Sequence, residues 1–169
     1  MTHAVFLTLH IAGGTSGLVL GPVAMRAVKR RGTHTRAGEA YHWAVLVACA
    51  SAVGLAALDF SDLWWLGLIG VFSYAFAFLG YVAAKRRWTG WLLPHVSGQG
   101  GSYIALTTAL LVVNLGGPLI IWFLPTIVGS PVIAWVNFQV ARGARPKGVG
   151  PPPGSVPAVQ AKVASTGFG

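Results

Sequence analysis

The sequence predicts an all-α integral membrane protein: a five-helix transmembrane bundle with its N-terminus outside the cell and a disordered cytoplasmic C-terminal tail. Three observations support this prediction. Of the 169 residues, 54% are hydrophobic and only 9% are charged, whereas soluble domains carry about 25% charged residues. The apolar residues gather into five stretches, and the basic residues collect between or after them. This composition argues against a soluble enzyme and against a disordered protein.

Each apolar stretch approaches the roughly 20 residues that a helix needs to cross a bilayer. The stretches lie at 4–25, 38–58, 63–84, 92–114 and 117–140. The first has no basic residue ahead of it and no convincing cleavage site, so we expect it to be retained as a span. The fifth contains Pro125, with Pro131 beyond it, which predicts a kink and leaves open a full crossing or a re-entrant hairpin.

The positions of the charged residues predict the orientation of the spans. The lysines and arginines lie at 26–36, 85–87, 142–147 and 162. The other two connections hold Asp59, Asp62 and the neutral turn 115–117. With five crossings every basic residue falls on one side, and the positive-inside rule places that side in the cytoplasm. No basic face is interleaved with stacking aromatic residues, so the charge does not indicate nucleic-acid binding.

The chain is expected to hold one membrane domain at 1–142 and no soluble domain. Residues 143–169 are rich in proline and glycine and are predicted to form a disordered cytoplasmic tail. Gly13, Gly17 and Gly21 recur every fourth residue in the first stretch, a spacing that lets helices approach closely in lipid. The fourth stretch repeats this device with small residues at 101, 105 and 109.

Polar residues inside the spans predict a polar interior site, because such residues usually face the interior of a bundle. Three histidines, His10, His42 and His95, are the candidate cofactor ligands. His42 and His95 lie at similar depths from the cytoplasmic edge, so we predict that they face each other, with His10 at a separate outer position. The other residues predicted for this interior are Ser73, Tyr74, Gln99, Ser102 and Tyr103.

A motif between the first two stretches carries a family resemblance. It consists of His34, Arg36, Gly38 and Tyr41, accompanied by a membrane histidine and a Gly-Pro pair at 21–22. With the later segment 95–114, these residues resemble a family of small bacterial multi-span predicted membrane proteins, a domain of unknown function whose loop reads Gly-x-x-His-Arg-x-x-Gly-x-x-Tyr. The resemblance implies a helical bundle in the bacterial inner membrane, and it supplies no activity.

Three function hypotheses remain open. The first is a structural or accessory subunit that acts as a homo-oligomer or with a membrane partner. The second is a redox protein that binds haem b through His42 and His95, since axial imidazole ligation is ordinary haem chemistry. The third is a small-molecule transporter acting as an oligomer, for which the glycine-rich stretch 98–101 is a candidate helix break.

Hydrolytic chemistry is disfavoured by the sequence. No His-Glu-x-x-His, Cys-x-x-Cys or Walker motif is present, and both aspartates lie in a predicted outer loop. The single cysteine, Cys49, excludes an intramolecular disulfide and a cysteine-rich metal site. No other metal site is predicted.

Overall fold

A computed structural model describes residues 1–30, 32–116 and 118–143 of the chain. It confirms the predicted fold class: the described residues form five long helices packed as a bundle. The helices are α1 (Thr2–Arg26), α2 (Thr33–Leu58), α3 (Phe60–Arg86), α4 (Leu92–Leu115) and α5 (Leu119–Ala141). Each is long and apolar enough to cross a membrane, so this is a multi-pass membrane protein. Apart from Gly143, the predicted tail at 143–169 lies outside the described residues.

Four of the helices close into a ring, and the fifth lies outside it. Each helix packs on the next along the chain, and α1 also contacts α4. Helix α2 is the most buried, because it contacts both α1 and α3 along its length. The central cluster contains Tyr41, Val45 and Cys49 from α2 and Ala77 from α3. Helix α5 packs along α4, and Pro125 is the one buried residue in it.

Helix α2 begins five residues earlier than the apolar stretch predicted. His34, Arg36 and Gly38 therefore lie in its first two turns rather than in a loop. Gly32 precedes the helix with a φ of 134°, a conformation that favours glycine and turns the chain into α2. Hydropathy missed this start because a helix satisfies its own backbone hydrogen bonds whether its side chains are polar or apolar.

Two helix interruptions that the sequence left open do not occur. Helix α5 continues through Pro125 and Pro131, so residues 119–141 form one full-length helix and not a re-entrant hairpin. Helix α4 continues through residues 98–101, so the candidate helix break was wrong. Prolines and glycines are tolerated in transmembrane helices when neighbouring groups satisfy the freed backbone.

Glycines set how closely the ring helices approach. A Cβ atom added to Gly13 would lie 2.8 Å from the backbone nitrogen of Ala48, and one added to Gly98 would collide with the carbonyl of Phe76. Gly17 and Gly21 are also buried and pack against side chains of α4. Gly101, which the sequence placed in a packing row, has open space beside it. In α4 the close approach therefore falls at Gly98.

Candidate functional site

The three candidate histidines lie in three different environments. His10 is half-buried in α1, and its Nδ1 donates a hydrogen bond of 2.9 Å to the carbonyl of Ala48. It lines a cavity of about 50 Å³ between the ring helices, together with Cys49, Ser73 and Ser102. Most of the remaining lining consists of small and aliphatic side chains, so this cavity is largely apolar.

His42 is buried between α2 and α3, with only 3% of its surface exposed. Its ring stacks on Tyr81, with centroids 4.0 Å apart and planes inclined by 11°. The Tyr74 hydroxyl lies 3.5 Å from Nε2, the outer limit of a hydrogen bond. The other ring nitrogen, Nδ1, has no hydrogen-bond partner among the described residues. A buried polar atom without a hydrogen-bond partner costs free energy, so this nitrogen lowers the stability of the folded bundle.

His95 meets a different imidazole from the one that the sequence predicted. Its ring lies 6.2 Å from that of His34, centroid to centroid, with the planes at 86°. Its Nδ1 donates to the carbonyl of Gly80 at 2.9 Å, and the Trp91 ring lies 5.8 Å away. His34 likewise donates from Nδ1, to the carbonyl of Ala24 at 2.9 Å. The rotation of α4 sets this pairing: Gly98, one turn after His95, packs against the backbone of α3.

The predicted polar interior residues mostly bond to backbone carbonyls or to one another. Gln99 donates to the carbonyl of Ala77 at 2.9 Å, which joins α4 to α3. The hydroxyls of Tyr41 and Ser102 are hydrogen-bonded at 2.8 Å, which joins α2 to α4. Tyr103 donates to Leu18 at 3.3 Å, which joins α4 to α1. Polar side chains used in this way hold transmembrane helices together.

We call the end of the bundle where α1, α3 and α5 finish the basic end, because basic residues lie in the last turn of α3 or just after α1 and α3: Lys29, Arg30, Lys85, Arg86 and Arg87. Lys85 forms an exposed ion pair with Glu39. Lys29 caps α1 by donating to carbonyls of its last turn, including that of Ala24 at 3.0 Å. Burial lowers the pKa of the Lys29 amine, because desolvation disfavours its charged form.

Two interior residues were missed by the sequence reasoning. Asn137 of α5 donates to the hydroxyl of Ser97 at 2.8 Å, and its buried Oδ1 has no hydrogen-bond partner within residues 1–30, 32–116 and 118–143. Asn137 and Gln139 are the two amides of this very apolar helix, and a polar side chain in such a helix was the available signal. The pair fastens the basic end of α5 to the start of α4.

The described residues contain no group of three or more histidine, cysteine, aspartate or glutamate side chains that could hold a metal ion. Comparison with known proteins finds no matching family, no matching curated protein and no matching solved structure. The resemblance to the family of predicted membrane proteins therefore stays a prediction.

Proposed function

We propose that this multi-pass membrane protein is a structural or accessory subunit of a membrane assembly, joined to its partner through α5. The observation that carries the proposal is the position of α5 outside the four-helix ring. In the most apolar 18-residue segment of α5, no residue is buried within the chain, whereas half of the residues in the corresponding segment of α2 are buried. Helix α5 therefore has most of its surface free for lipid or for another protein.

One face of α5 is suited to a second helix. Thr126, Ser130 and Ala134 are all exposed, and their four-residue spacing places them on one face. Small side chains at this spacing allow another backbone to approach closely in lipid. Helix α4 occupies the adjacent face, where Gly129 packs against Ile104. Helix α5 therefore has two faces with small residues. The face at Gly129 packs on α4, and the face formed by Thr126, Ser130 and Ala134 is exposed.

The ring itself supports a rigid role. At Gly13 and Gly98 the neighbouring backbones are too close for a methyl group, so these helices are fixed in register. Transport by alternating access usually relies on discontinuous helices at the binding site. Helices α4 and α5 are continuous where the sequence suggested breaks. This continuity favours the structural role over the transporter hypothesis.

Photo-crosslinking in the native membrane tests the proposal. A diazirine-bearing residue replaces Ser130 on α5 and, as a control, Phe72 on α3, which is 60% exposed. We expect a discrete protein adduct from position 130, of a second copy or of another chain, and only lipid adducts from position 72. Lipid adducts alone from both positions would contradict the proposal.

A further inference from the structure

The basic end carries a large excess of positive charge, which supports an inference that does not rest on the role of α5 as an interface. Eight lysines and arginines lie in the first or last turn of a helix or just beyond it, among them Arg87 and Arg142. The whole chain has three acidic residues, and Asp59 and Asp62 lie at the opposite end. The third, Glu39, is paired with Lys85. The arginines of the basic end therefore have no carboxylate partner in the described part of the chain.

Two of these arginines are held against aromatic rings where helices end. The Arg87 guanidinium lies 5.3 Å from the centre of the Trp91 ring, and the Arg142 guanidinium lies 4.0 Å from the centre of the Phe138 ring. A cation at these distances is attracted to the face of the ring. Both arginines are exposed, and they follow α3 and α5, which both pack against α4. The ring contacts thus hold the two cations beside the helix ends and leave them accessible.

The backbone at Arg87 is strained. Its φ is 48°, the left-handed conformation, and within the described ranges it is the one residue other than glycine with a positive φ. A helix that ends in this conformation usually has glycine there, because a Cβ atom crowds the following carbonyl oxygen. An arginine at this position therefore lowers stability relative to glycine, and residues strained in this way cluster at functional sites. The strain indicates that the Arg87 side chain has a role besides ending α3.

The ligand that fits these cations is the phosphate of a lipid. Guanidinium groups pair with phosphate oxygens through two parallel hydrogen bonds. Trp88, in the α3–α4 connection, and Trp135, within two turns of the end of α5, are both exposed, and tryptophans near span ends lie at the level of lipid headgroups. Clusters of about 4–8 basic residues beside a span attract anionic lipids. We propose that Arg87 and Arg142 bind anionic phospholipid headgroups where α3 and α5 end.

Native mass spectrometry of the full-length detergent-purified protein tests this proposal, with phosphatidylglycerol as the anionic probe and phosphatidylcholine as the zwitterionic one. We expect phosphatidylglycerol to bind more tightly. Arg87→Gly and Arg142→Gln should each weaken its binding about 5-fold, the effect of one basic residue near a membrane surface, and leave phosphatidylcholine binding unchanged. Arg30→Gln and Arg36→Gln are the matched controls, because each removes one charge from the α1–α2 side of the same end. Screening should limit their effect to less than about 2-fold.

Thermal stability separates loss of the lipid contact from loss of folding. Because glycine is favoured at the φ of Arg87, Arg87→Gly should keep or raise the unfolding temperature in lipid-free detergent while it loses affinity for phosphatidylglycerol. If Arg87→Gly unfolds more readily instead, Arg87→Gln replaces it in the binding measurement. Equal binding of the two lipids, or equal effects of the test and control substitutions, would overturn the proposal. So would displacement of phosphatidylglycerol by an equal concentration of inorganic phosphate, which would indicate a soluble anion as the ligand.

Discussion

The Tyr81 ring lies flat against the His42 imidazole, with their centroids 4.0 Å apart and their planes 11° from parallel. This stack joins α2 to α3 near the basic end, where Lys85 also lies 5.2 Å from the centre of the Tyr81 ring. His42 thus contributes a flat packing surface, while no group in the described part of the chain forms a hydrogen bond with its Nδ1. The packing and the polarity of this residue can therefore be tested separately.

We predict that His42→Phe leaves thermal stability in detergent unchanged or raises it. Phenylalanine keeps a flat ring against Tyr81 and removes the unpartnered buried nitrogen, whose desolvation costs about 1–3 kcal/mol. His42→Ala is the comparison, and it should lower stability because the stacking surface is lost. A marked loss of stability in His42→Phe would show that water or a ligand satisfies Nδ1, contrary to the structure.

We predict that Gly13→Ala destabilises the bundle by about 1–3 kcal/mol, the usual cost of overpacking a filled interior. The added methyl group would press on the backbone of Ala44 and Ala48, which cannot turn aside as a flexible side chain can. The control is the adjacent Gly14→Ala, because a Cβ atom there has nothing within 4 Å. We expect Gly14→Ala to be neutral or to stabilise α1 by up to about 1 kcal/mol. Equal unfolding temperatures for the two variants would rule out the close approach of α1 to α2.

We predict a favourable coupling between Tyr41 and Ser102. Their hydroxyls are hydrogen-bonded at 2.8 Å, and Ser102 is almost wholly buried. Hydrogen bonds between transmembrane helices contribute about 0.6 kcal/mol on average. The double-mutant cycle of Tyr41→Phe and Ser102→Ala should give a coupling near that value in detergent unfolding. Strictly additive effects would mean that the hydrogen bond between α2 and α4 contributes nothing to stability.

Helix number and order followed from the sequence because hydropathy and charge act along the chain. Five apolar stretches separated by basic and acidic connections permit few other arrangements in a membrane. The start of α2 did not follow, because Thr33 to Ala37 are helical without being apolar. Hydropathy detects the lipid-facing part of a helix and not its full length.

The histidine pairing could not be predicted because it depends on helix rotation as well as depth. Depth alone placed His42 and His95 at the same level. The close contact of Gly98 with Phe76 and Gly80 fixes the face that α4 presents to α3, and His95 then bonds to Gly80. The early start of α2 brings His34, rather than His42, against the His95 ring. Neither contact has a signature in the spacing of the residues.

The positive-inside rule predicts that the five helices cross the membrane with the basic end in the cytoplasm. Labelling with a membrane-impermeant maleimide tests it in a Cys49→Ala background, where the chain has no other thiol. Ser61→Cys probes the end of the bundle opposite the basic end, and Thr89→Cys probes the α3–α4 connection; both positions are exposed. We predict that Ser61→Cys is labelled in intact cells and Thr89→Cys only after permeabilisation. Labelling of both positions from the same side, or the reverse pattern, would contradict the claim.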